Sequence, residues 1–270
     1  MLDLITEMLS YNFLLRAACV GLMVSLCSSL LGVSLVLKRY SMIGDGLAHV
    51  GFGALAAAIA LGAAPLGLTI PVVAGAAILL LKITDESSLR GDAAIGLIST
   101  GALAVGITAI SMTQGINTDV SSYMFGSILA MSKRDVTLSV GASSCVLLLF
   151  ALCYNRIFAV TFDENFAKAT GVKTGLFNIT IATLTGVTIA VGMRLMGALL
   201  ISGLIIFPAL TSMRLFKSFR SVAISSTVIS LVSFAAGLIL SYATGSPAGA
   251  SVVIVNLVFF IIFSAAAKFE

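Results

Sequence analysis

Long apolar blocks, each closed by a few polar or charged residues, set the pattern of this chain. A transmembrane helix needs about 20 predominantly apolar residues. Windows of that kind fall near 12–37, 44–63, 66–83, 93–112, 136–154, 176–193, 195–213, 222–242 and 248–267. The expected fold is all-α, a polytopic transmembrane helical protein with about nine spans, or eight if one is re-entrant. The connecting loops are short and no internal repeat stands out, so a single integral-membrane domain over residues 1–270 is expected, with no soluble domain appended.

Composition supports this pattern. The chain is 59% hydrophobic and only 10% charged, with a mean hydropathy of +1.16. A soluble domain carries about 25% charged residues, so this chain lacks the polar surface to face water. The formal charge of +4 is scattered between apolar runs and is not gathered into a patch, which argues against nucleic acid as a partner. Cys19, Cys27, Cys145 and Cys153 lie inside apolar runs without a close CxxC pairing and read as small buried hydrophobes. The start, Met1 to Tyr11, carries Asp3 and Glu7 and lacks the basic leader of a cleavable signal.

The basic residues orient the spans. With the N-terminus outside and nine alternating spans, most of the 15 Lys and Arg fall on the inner side, among them Lys38, Arg39, Arg156 and Lys168. Lys133, Arg134 and Arg194 fall outside, and Arg16 lies within the first span. Basic loops favour the cytoplasm, so the expectation is a multi-pass protein of the cell membrane with its N-terminus out and C-terminus in.

Two connecting stretches carry information of their own. Asn117 to Met131 is too short to span and reads as an interfacial or re-entrant helix on the outer side, where Tyr123 is at home. On the inner side, Asp163 is suited to cap a helix, Glu164 favours its first turn, and Gly171 suits its C-terminal stop. That predicts a two-turn helix near 163–170 showing Phe166, Ala169 and Thr170 on one side. Two exposed turns are marginal alone, so a partner surface is expected to hold them. Pro208 should kink the seventh span. Gly44, Gly46, Gly51 and Gly53 point either to close helix packing or to a broken helix.

The candidate chemistry sits at Asp45 and His49, the latter being the only histidine in the chain. Residues four apart share a helix face. A continuous helix from Arg39 would bring His49 ~15 Å further in, near the midplane of a ~30 Å hydrocarbon core. Ionisable groups there cost roughly 2.5–3.5 kcal/mol on insertion scales and are functional suspects. A carboxylate with a neutral imidazole suits a divalent ion such as zinc or manganese, a proton relay, or a pair that locks two helices. Two ligands are few for a tight structural site, yet an ion in transit must leave again. Protons would compete with the metal for His49 as pH falls.

Several stretches together carry a family resemblance. They are Lys38–Arg39–Tyr40–Ser41–Met42–Ile43–Gly44–Asp45–Gly46–Leu47–Ala48–His49, Tyr123–Met124–Phe125–Gly126 with Leu129, the run from Gly197 through Ser202 and Pro208 to Ala209, and Ser246–Pro247–Ala248–Gly249–Ala250–Ser251–Val252–Val253. With these the chain, from about Phe13 to Ala267, resembles the membrane permease subunit of ATP-binding-cassette (ABC) importers for zinc and manganese, closest to the zinc branch. The resemblance implies a permease homodimer with the ion passing along its interface, cytoplasmic ATP-binding subunits, and an extracytoplasmic metal-binding protein that delivers the ion. By that likeness Asp45 and His49 contact the ion, Asp119 receives it at the outer side, and the helix at 163–170 is the coupling helix that docks on the ATPase. Ala48 and Phe52 depart from residues common in the family at those places.

The expected function is thus ATP-driven uptake of a divalent transition metal, zinc first, then manganese or ferrous iron, across a bacterial plasma membrane. The metal is cargo, and no permanently bound cofactor is expected. The chain has no Gly-x-x-x-x-Gly-Lys-[Ser/Thr] phosphate loop, so it is not expected to be an enzyme itself. The rival reading is a stand-alone, proton-coupled secondary transporter.

Overall fold

The computed structural model describes residues 10–86, 91–112 and 132–268. Every regular element among them is helical. In chain order these are α1 (Asn12–Leu37), α2 (Ser41–Ala60), α3 (Pro65–Glu86), α4 (Gly91–Met112), α5 (Lys133–Phe162), α6 (Glu164–Ala169), α7 (Thr174–Ser212), α8 (Phe219–Thr244) and α9 (Ala248–Ala266). Eight stretches among the described residues are long and apolar enough to cross a membrane, and Met196–Ser212 is a shorter apolar helix. The seventh sequence window corresponds to that shorter helix. The predicted segment Asn117–Met131, with Asp119 and Tyr123, lies outside the described residues.

Local chemistry explains where helices stop. After α1, the Arg39 N–H donates to the Val36 carbonyl and the Tyr40 N–H to the Leu35 carbonyl at 2.8 Å, with Arg39 at φ 62°. This is the paired closure of a left-handed C-terminal cap, held here by a side chain that disfavours it by roughly 1–2 kcal/mol. The same closure ends α2 at Gly62 (φ 64°) and α6 at Gly171 (φ 84°). The turn at Arg39 changes one sequence-based expectation. The second helix starts at Ser41 and not at Arg39, so Asp45 and His49 lie ~6 and ~12 Å along it.

α7 consists of two arms, Thr174–Arg194 and Met196–Ser212. The break is at Gly197, with φ 81° and ψ 164°, a region open essentially to glycine alone. Pro208 lies inside the second arm, and the non-helical backbone is at Gly197. The break is thus at Gly197, an interruption additional to the kink expected at Pro208. The physical reason is that proline fixes φ near −65°, a helical value, whereas φ 81° cannot continue a helix. The chain doubles back there. A Cβ on Gly192 would lie 2.6 Å from Ile201 Cδ1, although a straight helix would hold the two residues ~14 Å apart.

α7 is the hub, packing on α1, α2, α3, α5, α8 and α9, while α2 packs mainly on α3, α4 and α7. The glycines of α2 serve close approach, and the helix runs unbroken from Ser41 to Ala60. A Cβ on Gly46 would meet Ile95 Cγ2 at 2.6 Å, and one on Gly53 would collide with the Ala102 carbonyl of α4. Small residues at such crossings let helix backbones approach where lipid offers no hydrophobic drive. Between α1 and α8 the seam is polar. Ser230 Oγ donates to the Ser25 carbonyl at 3.1 Å, and Ser29 Oγ to Thr227 Oγ1 at 3.3 Å.

Candidate functional site: an Asp–His pair between α2 and the second arm of α7

On α2, Gly44, Gly46, Leu47, Ala48 and Val50 are buried against neighbouring helices. Asp45 and His49 occupy the face left over. Their side chains are 46% and 27% exposed, so the pair lines an open surface within a membrane-length helix. His49 Nε2 and Asp45 Oδ2 are 3.7 Å apart, beyond direct hydrogen bonding. Two ligands on a tetrahedral zinc shell stand ~3.4 Å apart, given Zn–N and Zn–O distances near 2.0–2.2 Å. The spacing is thus close to what a bridging divalent ion requires.

A third residue completes the cluster. Ser202 Oγ stands 3.1 Å from Asp45 Oδ1 and 3.0 Å from the Ala198 carbonyl oxygen, and its single O–H donates to one or the other. Ser202 comes from the second arm of α7, and the reversal at Gly197 is what turns it back toward α2. In the sequence Ser202 is one residue of the longer motif from Gly197 to Ala209, and no local pattern assigns it a role. The signal available was a hydroxyl five residues past a glycine inside an otherwise apolar run. Among the described residues no group of three His, Cys, Asp or Glu side chains gathers to hold a metal.

At the other predicted site, the short helix expected near 163–170 is present as α6. Asp163 Oδ1 accepts from the Phe166 N–H at 2.9 Å, as an N-cap should. Glu164 stands in the first turn and is bound by Lys38 Nζ at 2.8 Å. Thr170 Oγ1 donates to the Ala167 carbonyl at 2.9 Å, and Gly171 closes the helix. Ala167 is fully buried, whereas Phe166, Ala169 and Thr170 are exposed. Phe166 has 65% of its surface open, on a capped helix of 6 residues. The pair at Asp45 and the helix at Glu164 are separate places in the fold.

A model of the ABC 3 transport family matches residues 10–267. The manganese import system permease protein ScaB of Streptococcus gordonii is 27% identical over 258 residues, covering 93% of this chain and 90% of that protein. The high-affinity zinc uptake system membrane protein ZnuB of Haemophilus influenzae is 27% identical over 255 residues, covering 93% of this chain and 97% of that protein. Among solved structures, a chain of PsaBC from Streptococcus pneumoniae in complex with Fab superposes with a TM-score of 0.86 at 27% identity, covering 97% of this chain and 94% of that chain.

Proposed function

Since this chain belongs to the ABC 3 transport family, we propose that it is the transmembrane permease subunit of an ABC importer whose cargo is a divalent transition metal ion, zinc first. Manganese is the alternative cargo, since relatives are named for each metal, and ferrous iron is a third. The observation that carries the reading is the half-open cluster of Asp45, His49 and Ser202 inside an apolar span. A neutral imidazole and a carboxylate suit zinc and manganese alike, and so small a ligand set lets the ion leave again.

ATP hydrolysis belongs to partner subunits on the inner side, which dock on α6 through Phe166, Ala169 and Thr170. Closure of those subunits switches the path between outward and inward access. Asp45 facing lipid would be costly, so a second permease, in the simplest case another copy of this chain, covers that face and completes the path. An extracytoplasmic binding protein delivers the ion, with Asp119 as its first acceptor, and the N-terminus lies outside with the C-terminus inside.

The test is uptake of radioactive zinc and manganese, in parallel, by proteoliposomes holding this chain with its ATPase and binding protein. ATP-dependent accumulation of zinc over manganese is the expected result. Uptake that ignores ATP and follows a proton gradient would instead identify a secondary transporter.

A further inference from the structure

The ammonium of Lys38 meets oxygens from three other helices. Its Nζ donates to Glu164 Oε2 of α6 at 2.8 Å, to Asn178 Oδ1 of α7 at 2.6 Å and to the Val160 carbonyl of α5 at 3.4 Å. Asn178 Nδ2 closes the ring by donating to Glu164 Oε1 at 2.9 Å. A lysine has three N–H donors, and all three are used. The Lys38 side chain is only 8% exposed, and Asn178 is buried too. Four helices therefore meet at one ion pair.

Its place in the chain gives the node a further meaning. Lys38 caps α1 and precedes the turn at Arg39 and Tyr40 from which α2 starts. Asp45 lies ~6 Å along α2 from Ser41. By covalent connection α6 is joined to α5 and α7, not to α2, so Lys38–Glu164 is a direct side-chain link from α6 to the start of the helix that carries Asp45 and His49. An apolar contact could slide. A charge-assisted pair with both carboxylate oxygens engaged favours one geometry; Glu164 is 43% exposed, but separating the pair leaves the buried ammonium only the neutral Asn178 and Val160 oxygens and no counter-charge. The crevice beside it, lined by Leu35, Tyr40, Ile43 and Ile181, holds only about 10 Å³, no more than one water's worth. The turn has little room to move independently of α7.

We propose that Lys38, Glu164 and Asn178 are positioning residues that carry a displacement of α6 into the α1–α2 turn, and so reposition Asp45 and His49 when the ATPase closes. The inference rests on the permease reading above and adds the route by which that subunit feels its partner.

The experiment uses the full complex in proteoliposomes, with zinc uptake and phosphate release measured on the same vesicles. Lys38→Gln should leave assembly and ATP hydrolysis in place while ions moved per ATP fall about tenfold, within the range of ordinary site-to-site coupling. The exchange K38E with E164K should recover most of that loss relative to K38E alone, because the Asn178 amide can turn to present either its oxygen or its nitrogen. A distance between spin labels on α6 and α2 should change with ATP in the unsubstituted complex and cease to change in K38Q. Should K38Q fail to assemble, Asn178→Ala, which keeps the ion pair and removes its brace, should show a smaller loss in ions per ATP. Unchanged ions per ATP in K38Q, or in N178A where that variant decides, would overturn the relay, as would an exchange variant no better than K38E. Absence of ATP-dependent uptake by the unsubstituted complex would instead bring down the permease reading itself.

Discussion

Asp45 and His49 stand on the face of α2 that neighbouring helices leave open, and Ser202 reaches them from a different arm of the fold. The three residues should not contribute equally. Asp45 and His49 are the metal-ligating types, so Asp45→Ala and His49→Ala should each abolish zinc uptake while the complex still assembles, as size-exclusion chromatography would show. Normal uptake in both would remove them from the path. Ser202→Ala deletes one hydrogen bond to a half-exposed carboxylate. A bond to a charged group is worth about 1.5–3 kcal/mol when buried, and exposure lowers that, so a few-fold rise in KM with little change in kcat is expected. The Asp–His pair was legible in the sequence because both members lie on one helix four residues apart. Ser202 was not, because its relation to Asp45 exists only once α7 has doubled back.

At the scale of elements, caps and one glycine do most of the shaping. Asp163→Ala removes the N-cap of α6 at a cost of about 1 kcal/mol, large for a helix of 6 residues. Weaker binding of the ATPase subunits, measured by co-purification in detergent, should follow. Gly197 is held at φ 81° and ψ 164°, so Gly197→Ala should destabilise the fold by about 1–3 kcal/mol, seen as a lower Tm, and draw Ser202 away from Asp45. A third element-level device lies at the start of α5. Asp135 closes a capping box with Ser132 and binds Arg194 at 3.0 Å, both side chains largely buried. Asp135→Asn breaks that pair and should cost about 3 kcal/mol, again readable as a fall in Tm. The α6 caps could be read from residue types alone, since a helix end is satisfied within a few residues of itself. The break at Gly197 could not be read, because a glycine in an apolar run fits close helix packing as well as an interruption, and only the fold selects between them.

For the whole molecule, α6 and the α1–α2 turn lie on one side, joined through Lys38 and Glu164. If that side is cytoplasmic, a cysteine introduced at Thr170, in a background without the four native cysteines, should react with an impermeant maleimide only after the membrane is opened. One introduced at Gly62, past the far end of α2, should react in intact cells. The reverse result would invert the proposed topology. The eight membrane-length helices among the described residues followed from runs of apolar residues, and the family model matches residues 10–267.

Sequence by itself determined the helical class, the approximate place of each span, the caps of α6 and the residue types able to meet a metal ion. These are properties of single residues and near neighbours, governed by transfer of side chains into lipid and by satisfaction of helix ends. Only the tertiary structure decided that α7 reverses at Gly197, that the α2 glycines serve packing, that Ser202 faces Asp45, and that Lys38 ties α6 to the start of α2. Each of those joins residues far apart in the chain, and in an apolar medium such contacts are selected by shape and hydrogen-bond geometry that no local pattern encodes.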